Sequence, residues 1–348
     1  MFNFMKKDFK IVQKFPVLIA MSALIIVAGI VMMIVSGLNI GIDYEGGAKV
    51  EIELAGDYAE NSEFKAGFEK EFTDFINSNG YDVADKMQVS PLSDGGSTYE
   101  FRLSYELNGK KVGKTEEEQT AFIESLNGKD NDAADEGFRG VLEDKVQQYL
   151  ESKGMGAEYE EGCVKVAVIG ASSSQSLLNS TFLAIALALV AILVYIMIRF
   201  TVSSGLAAIC GLTHDVLIMV ALTAIFQIPV NTTFIAAVIT IIGYSINSSI
   251  VIFDKVRECR KSTAFAYASD EEIANYAIKH SLVKIILSII TTLIMVVALV
   301  LFSVSTIQEF ILPIIFGLLA GTFSALCLSP SIWVLFRKIG AKSKSKKA

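Results

Sequence analysis

The stretch FTVSSGLAAICGLTHDVLIMVALTAIFQIPVNTTFIAAVITIIGYSINSSIVIF, residues 200–253, contains a single charged side chain, Asp215. A transmembrane helix needs about 20 predominantly apolar residues, so this stretch is long enough for two. The segment QIPVN, residues 227–231, supplies a turn between them, because its proline and flanking polar residues interrupt the apolar run. The sequence therefore predicts two membrane helices here, with Asp215 inside the first.

Four further blocks without charged residues lie on either side of this pair. They run between Lys14 and Asp43, Lys165 and Arg199, Lys284 and Glu309, and Glu309 and Arg337. Each block is longer than a bilayer-spanning helix requires. The sequence thus predicts a polytopic α-helical membrane protein with six transmembrane helices, at about 16–38, 176–198, 204–226, 231–253, 283–304 and 310–335.

Charge is distributed unevenly along the chain. Residues 39–175 hold 29 acidic and 13 basic side chains, a net charge of −16, whereas the remainder holds 8 and 17, a net charge of +9. Basic residues flank the first and last predicted helices, at Lys6, Lys7, Lys10, Lys14, Arg337, Lys338, Lys342, Lys344, Lys346 and Lys347. Because positive charge is retained on the cytoplasmic side, we expect residues 1–15 and the tail 337–348 to be cytoplasmic and 39–175 to lie outside.

The acidic segment has the pattern of a mixed α and β domain. Residues 48–53 and 98–103 alternate apolar and polar side chains as half-exposed strands do, and 163–168 supplies a last strand. Two amphipathic helices are predicted from apolar residues at helical spacing, which are Phe64, Phe68, Phe72 and Phe75, then Phe138, Val141, Leu142, Val146 and Leu150. We expect both helices to cover one face of a small antiparallel sheet, and residues 107–136 to form a solvated loop with a short helix.

Motifs of enzymatic chemistry are lacking in the sequence. It contains neither a phosphate-binding Gly-x-x-x-x-Gly-Lys loop nor a His-Glu-x-x-His zinc motif. Its four cysteines, Cys163, Cys210, Cys259 and Cys327, fall in different predicted compartments and give no disulfide or metal framework. We therefore expect a protein that is not an enzyme and has no cofactor. The basic tail could contact nucleic acid in principle, but attraction to anionic lipid, or to ribosomal RNA in passing, explains it as well. We expect membrane lipid as a partner and no nucleic acid.

Several short motifs resemble the SecF proteins of the SecD/SecF family. The segment GYSINSSIVIFDKVRE, residues 243–258, follows the pair His214–Asp215, and GIDYEGG, residues 41–47, follows the first predicted helix. The last predicted helix contains Gly317-x-x-x-Gly321. The positions that carry the resemblance are Asp43, Gly46, Gly47, Gly243, Tyr244, Asp254, Gly317 and Gly321.

The resemblance implies half of a transporter of the resistance-nodulation-division superfamily in a bacterial inner membrane. A SecD-like chain would complete it beside the Sec translocon, and the pair would assist the late export of a polypeptide. An ion gradient is implied as the energy source, with an aspartate in the fourth helix and an arginine near the start of the fifth alternating between paired and unpaired states. Other functions remain open, namely an exporter of small molecules or lipids and a scaffold that only stabilises the translocon.

The residue pair that the family uses for coupling is altered in this chain. Ser248 occupies the aspartate position after Asn247, and Lys284 occupies the arginine position. A relay needs a group that can titrate at membrane depth, which serine cannot provide. Losing one partner alone would leave an uncompensated buried charge, so a joint change is physically consistent. Near the membrane boundary, the flexible Lys284 side chain can extend to the headgroups.

Asp215 is the remaining carboxylate at membrane depth. It lies about 11 residues into the predicted helix, or roughly 16 Å at 1.5 Å per residue, near the bilayer centre. A carboxylate there should face the bundle interior and have a partner. Three interpretations follow: a sodium site in which Asp215 joins Asn247, Ser245, Ser248 or Ser249; a proton carrier that uses His214; or a hydrogen-bonded buried acid without an ion-coupling role.

Two other motif features have structural interpretations. Asp254 is expected to mark the cytoplasmic end of the fourth helix and to pair with Lys255, Arg257 or Arg260 at the interface. The glycines of the last predicted helix are expected to let two helices approach closely, since small residues favour close backbone contact in membranes.

Overall fold

The computed structural model describes residues 10–54, 62–83, 87–91, 97–107, 110–111, 116–127, 137–156, 159–160, 162–169, 171–302 and 305–345. The chain divides into two compact units. The α+β unit has Ile40–Phe182 as its continuous part. The helical unit contains Met1–Asn39, Leu183–Phe302 and Ile307–Ala348.

The first helix, α1, begins at Phe15 and ends at Val35. Pro16 lies in its first turn, where a proline is tolerated because that N–H has no partner within the helix. Apolar side chains cover the whole circumference, and Leu24 and Ile34 are largely exposed. A helix that is apolar on all sides belongs in a hydrocarbon environment.

A tight turn connects the start of the α+β unit to its sheet. The short helix α2, Ile42–Glu45, contains the half-buried Asp43, and strand β1 follows at Gly47–Leu54. Gly46 and Gly47 have φ angles of 79° and 148°. Glycine enters this region without the steric penalty of other residues, so both motif glycines have a backbone role in this turn.

An antiparallel sheet forms the centre of the α+β unit. Its other strands are β2 (Tyr81–Val83), β3 (Gln88–Pro91), β4 (Ser97–Leu107), β5 (Lys110–Lys111) and β6 (Val164–Ile169). The order is β2-β4-β1-β6, and β3 and β5 also pair with β4. In β1, Val50 lies opposite Phe101 of β4 and Val166 of β6. The three predicted strands are therefore present as parts of β1, β4 and β6.

Three helices accompany this sheet, the two predicted amphipathic helices and a short one within 107–136. They are α3 (Ser62–Ser78), α4 (Glu116–Asn127) and α5 (Phe138–Ser152). Helix α4 buries Phe122 and Leu126 in the same apolar core as the other two. The short helix expected in this segment is therefore present over 116–127, but it packs into the core instead of being solvated, because two buried side chains in a polar helix give a weak periodic signal. Except for Leu107 and β5, the rest of 107–136 lies outside the described residues.

Aromatic side chains fill much of the core of the α+β unit. Phe68 is fully buried, and its ring centroid lies 4.3 Å from that of Phe72 and 4.7 Å from that of Tyr99. Phe101 on the same face of β4 is also fully buried. Burial of apolar area stabilises such a domain by roughly 25 cal/mol per Å². A disulfide within the unit would need a second cysteine, and Cys163 is the single cysteine between residues 40 and 182, so the stability of the unit depends on this core.

Long apolar helices build the helical unit. They are α6 (Ala171–Arg199), α7 (Val202–Ile225), α8 (Thr232–Lys261), α9 (Asp270–Phe302), α10 (Ser305–Phe323), a π-helix (Ser324–Leu328) and α11 (Ser329–Ser345). With α1, they provide six segments that are long and apolar enough to cross a membrane. The last segment, Glu309–Gly340, runs through α10, the π-helix and α11.

Several helices extend beyond the predicted limits. Helix α8 continues past 253 to Lys261, and α9 begins at Asp270 rather than at 283. The additional turns carry charged residues and are amphipathic. Helix limits that are predicted from the length of a charge-free segment are therefore too short. Helical hydrogen bonding is independent of the hydrocarbon boundary, and a helix can continue into the polar region.

Close helix contacts explain two glycines. A Cβ atom on Gly317 of α10 would lie 2.5–2.9 Å from side-chain atoms of Ile241 on α8, and a Cβ atom on Gly29 of α1 would collide with Ala221 of α7. Close approach of this kind is common between membrane helices. The close-contact interpretation of Gly317 is therefore consistent with the packing.

Candidate functional site

Asp215 lies near the middle of α7 and is fully buried. Side chains from two other helical segments reach it, namely Ser245 of α8 and Ser324 of the π-helix. Residue 321, a glycine of α10, lies against the same group: its Cβ, if present, would be 3.5 Å from Oδ2 of Asp215. Three segments of the helical unit thus converge on one carboxylate.

Both carboxylate oxygens of Asp215 have hydrogen-bond partners. Nδ1 of His214 lies 3.0 Å from Oδ1, and the hydroxyls of Ser245 and Ser324 donate to Oδ2 at 2.5 and 2.8 Å. Hydrogen bonds of this kind favour the charged form of a carboxyl group, whereas removal from water disfavours it. Hydrogen bonding and burial therefore have opposite effects on the charged form of the Asp215 carboxyl group.

His214 contacts Asp215 although the two residues are adjacent in sequence. Adjacent side chains leave a helix about 100° apart, so this contact requires the imidazole to turn towards its neighbour. Nε2 of His214 is buried and has no hydrogen-bond partner among the described atoms. One ring nitrogen is therefore engaged with the carboxylate, and the other is left without a hydrogen-bond partner among the described residues.

The π-helix places the Ser324 hydroxyl beside Asp215. Pro330, just after the π-helix, has no N–H to donate to the carbonyl four residues earlier, and its ring crowds that carbonyl. A wider turn relieves this conflict, which accounts for a π segment at Ser324–Leu328. Single π turns inside α-helices occur frequently at functional sites.

The structure brings together only part of the predicted polar group. Ser245 joins Asp215, and Ser248 and Ser249 are buried one turn further along α8. Asn247 is exposed instead, because two residues along a helix correspond to a rotation of about 200°. The expected shared group of Asp215 and Asn247 is therefore not formed. Lys284 is also exposed, on α9.

The immediate neighbours of Asp215 are two hydroxyl oxygens and one imidazole nitrogen. The hydroxyls of Ser245 and Ser324 both lie within hydrogen-bond distance of Oδ2. Hard cations take several converging oxygen ligands, whereas the third contact here is an imidazole nitrogen. In the part of the chain that the structure describes, three or more His, Cys, Asp or Glu residues do not cluster in a metal-binding arrangement.

A second buried carboxylate was missed by sequence reasoning. Glu309 is 5% exposed and accepts a hydrogen bond of 2.7 Å from the side-chain amide of Asn231, which also caps the start of α8 through Phe234. The signal was present in the sequence, because Glu309 is the single carboxylate between Lys284 and Arg337. Because Glu309 marks the boundary between two apolar blocks, its burial was not predicted from the sequence.

Asp254 has partners on two helices. Nη2 of Arg199, at the end of α6, donates to Oδ2 at 2.6 Å, and Nη2 of Arg257 lies 3.3 Å from Oδ1. Of the three expected partners, Lys255 pairs with Glu258 instead, and Arg260 pairs with Asp270. The contact with Arg199 depends on the turn between α6 and α7, which local sequence does not specify.

Two remaining motif residues of α8 differ in their surroundings. Tyr244 is half-buried against an apolar cluster of α7, α8 and α9. Gly243 is exposed, and a Cβ atom there would meet no described atom within 4 Å. Close packing within this chain therefore gives no reason for a glycine at position 243.

Comparison with known proteins gives consistent results. The family model described as "Protein export membrane protein SecD/SecF, C-terminal" matches residues 149–339. The chain is 28% identical over 335 residues to protein translocase subunit SecF of Cereibacter sphaeroides, covering 96% of this chain and 91% of that protein. It is 31% identical over 263 residues to SecF of Sebaldella termitidis, covering 73% and 83%.

Fused relatives are much longer than this chain. Protein translocase subunit SecDF of Bacillus subtilis is 30% identical over 335 residues, which represent 96% of this chain but 38% of that protein. The crystal structure of SecDF from Thermus thermophilus, a translocon-associated membrane protein, matches with a TM-score of 0.67 at 20% identity. It covers 97% of this chain and 40% of that one, and it supports the fold.

Proposed function

Because this chain belongs to the SecD/SecF family of protein-export membrane proteins, we propose that it is a SecF-like accessory subunit of the Sec translocase that assists late polypeptide export. It is a multi-pass bacterial membrane protein, and its relatives are translocase subunits rather than enzymes. The observation that carries the proposal is the family match along the spanning helices, together with an α+β unit between the first and second of them.

The orientation in the bilayer follows from charge. Residues 39–175 carry a net charge of −16, whereas the regions beside α1 and α11 are basic. Retention of positive charge in the cytoplasm supports cytoplasmic termini and an extracytoplasmic α+β unit. Protease added to spheroplasts should cleave within the α+β unit and spare the basic tail. Cleavage of the tail alone would contradict this orientation.

A SecD-like subunit is the expected partner, and exposed polar positions on two adjacent helices support a face for it. Thr240, Gly243 and Asn247 follow one stripe of α8, and Lys284 and Ser288 are exposed on α9, which packs against α8. Amide and ammonium groups are costly against lipid tails and favourable against another helix. This face also gives the exposed Gly243 a role, since a partner helix can approach it closely.

Cysteine cross-linking tests this face in the intact membrane. In a chain whose four native cysteines are replaced by serine, Asn247→Cys should cross-link to the SecD-like subunit. Ile198→Cys is the matched control, because Ile198 is 82% exposed on the apolar α6 and should face lipid. Cross-linking from position 198 and not from 247 would contradict the assignment. Failure of the SecD-like subunit to co-purify with the unmodified chain would contradict the export function itself.

We further propose that Asp215 carries the coupling proton in place of the carboxylate that is lost at position 248. Its neighbours are two hydroxyls and an imidazole, so it can gain or lose a proton without breaking an ion pair with lysine or arginine. A proton that leaves Oδ1 can pass to Nδ1 of His214, which lies within hydrogen-bond distance. The contact with Ser324 would link such a change to the π-helix.

Ion flux during export tests this role. In inside-out vesicles, Asp215→Asn should abolish export-linked proton movement, whereas the matched substitution Ser248→Ala should leave it intact. Replacing sodium by potassium should not alter the flux, because a proton carried by Asp215 needs no metal ion. Dependence on sodium, or normal flux in Asp215→Asn, would contradict the proton role. Unchanged export in Asp215→Asn would favour the translocon scaffold, which the serine at position 248 also permits.

A further inference from the structure

A basic cavity lies where the ends of α6 and α8 meet the start of α7 and the first half of α11. It has a volume of about 480 Å³. Five of its twelve lining residues are cationic, which are Arg199, Arg257, Arg260, Lys261 and Arg337, and none of the twelve is acidic. Cavities of this size accommodate small ligands, and the cationic lining selects an anion.

The cationic charge in this cavity exceeds the acidic charge that pairs with it. Asp254 contacts Arg199 and Arg257, and Asp270 contacts Arg260 and Arg337. These two carboxylates against five cations leave an excess of three positive charges (5 − 2). The ion pairs also hold the arginines around the cavity, because each carboxylate joins two segments of the chain.

The start of α7 adds polar groups to the same cavity. Thr201, Ser203 and Ser204 line it, and α7 begins at Val202. No side chain caps this end of the helix, and the first described N–H bonded back along the turn is that of Gly205, to Thr201. Free N–H groups and the helix dipole at such a terminus attract phosphate. This terminus supplements a site that the cationic side chains already define.

Apolar walls distinguish this cavity from a site for a soluble anion. Phe200, Phe253 and Trp333 line it, with the first two rings 5.8 Å apart. Next to the lining residues in sequence, Ile198 and Val202 are 82% and 80% exposed. Ile198 and Val202 lie at the end of α6 and at the start of α7, two helices long enough to span a membrane, and lipid headgroups are found at such ends.

We propose that this cavity binds the phosphate-bearing headgroup of an anionic glycerophospholipid, with the acyl chains along the exposed apolar ends of α6 and α7. Arginine and serine groups would bind the phosphate, since guanidinium groups suit its geometry. Basic pockets between membrane helices are a known form of headgroup recognition. The proposal does not depend on the export function, because it requires only that these helices lie in a membrane.

Trp333 provides a direct readout, because it is the single tryptophan of the chain and lines the cavity. The purified protein in neutral detergent is titrated with short-chain phosphatidylglycerol, short-chain phosphatidylcholine or inorganic phosphate while Trp333 emission is recorded. Phosphatidylglycerol should saturate the change at a concentration about tenfold or more below the other two, in line with the contribution of several cationic contacts. Equal responses to both lipids would overturn the proposal. Saturation by inorganic phosphate at the same concentration would assign the cavity to a free anion instead.

Paired charge variants test the location. The double substitution Arg257→Gln with Lys261→Gln should weaken phosphatidylglycerol binding about 10- to 30-fold, from the loss of two cationic contacts. Lys255→Gln with Lys338→Gln removes the same charge from nearby helix ends outside the cavity, where the two lysines pair with Glu258 and Glu271. This control should retain binding. Equal weakening by both doubles would show a general surface attraction and overturn the proposal.

A steric pair makes the test independent of charge. Ser203→Phe fills the cavity, whereas Thr263→Phe adds the same ring at an exposed position two residues beyond α8 that does not line it. Only the first should block the Trp333 response. Normal binding by Ser203→Phe, or tighter binding of a short RNA oligonucleotide than of phosphatidylglycerol, would overturn the proposal.

Discussion

Glu100 in the α+β unit and Asp215 in the helical unit are both buried carboxylates, but their neighbours differ in charge. Glu100 is 3% exposed and lies 2.9 Å from Nζ of Lys49 and 3.0 Å from Nε of Arg102. Asp215 is fully buried, and its contacts are with two hydroxyls and an imidazole. Glu100 is therefore paired with two cations, whereas Asp215 contacts two neutral hydroxyls and one imidazole.

We expect this difference to distinguish a structural charge from a carboxyl group that moves a proton. Burial lowers the pKa of the Lys49 ammonium, but its hydrogen bonds to Glu51 and Glu100 raise that pKa above its usual range. Protonating Glu100 would break its ion pairs with Lys49 and Arg102. Protonating Asp215 breaks no pairing with lysine or arginine. We therefore expect Glu100 to matter for stability and Asp215 for function.

The largest expected effect on stability is that of Glu100→Gln. Removing one member of a buried ion pair typically costs about 3–5 kcal/mol, because the remaining charge stays buried. Glu53→Gln is the control, since Glu53 pairs with the exposed Lys165 and exposed pairs contribute little. Hydrogen exchange of β1 and β4 amides in the full-length protein should show the loss for Glu100→Gln alone. Equal effects of the two substitutions would remove the basis of the comparison.

Asp215→Asn should change stability much less. An amide oxygen can still accept from Ser245 and Ser324, so we expect a change below about 1.5 kcal/mol. Asp215→Leu should destabilise more, because it leaves both hydroxyls without an acceptor. Thermal unfolding in detergent measures both variants. A loss for Asp215→Asn as large as that for Glu100→Gln would identify Asp215 as a structural acid.

Ser324→Ala should lower stability by about 1 kcal/mol, the usual net value of one hydrogen bond. Ser331→Ala is a matched control, since that buried hydroxyl donates to the backbone carbonyl of Cys327. The two variants should lose similar stability, but only Ser324→Ala should reduce export-linked proton flux. Equal flux in both would separate the π-helix from proton transfer.

The smallest effect concerns the buried thiol of Cys163 in the α+β unit. Burial, with help from nearby carboxylates such as Glu143, raises the pKa of Cys163 from 9.0 to about 11. The folded state thus holds this proton more tightly than the unfolded chain. The resulting stabilisation is complete below about pH 9 and is lost as the pH rises towards 11. Alkylation of a chain that retains only Cys163 should follow this profile. A midpoint near 9 would contradict the expected effect of burial in this unit.

Sequence patterns were sufficient for much of the fold and only part of the site. Six apolar segments follow from hydrocarbon thickness, but the end of α8 at Lys261 and the start of α9 at Asp270 lie in amphipathic turns that charge alone does not reveal. Asp215 was recognisable as an isolated charge in an apolar stretch. Its partner Ser324 lies 109 residues away along the chain and becomes a neighbour only through helix packing.

The position of each remaining polar residue around the helix axis determines whether it faces Asp215. Ser245 and Asn247 are two residues apart, so a single face cannot present both to Asp215. The sequence showed that both were polar but left open which of them faced inwards. Glu309 shows the opposite case, because its isolation between two apolar blocks was a usable signal of burial.

Isotope-edited infrared spectroscopy tests the central claim most directly, because it observes the carboxyl groups themselves. Protein with ¹³C-labelled aspartate carboxyls is reconstituted with its SecD-like partner, and difference spectra are recorded as the proton gradient is applied. We predict an aspartate signal that changes between protonated and ionised forms in the unmodified protein and in Ser248→Ala, and that is absent in Asp215→Asn. Persistence of that signal in Asp215→Asn would contradict the account.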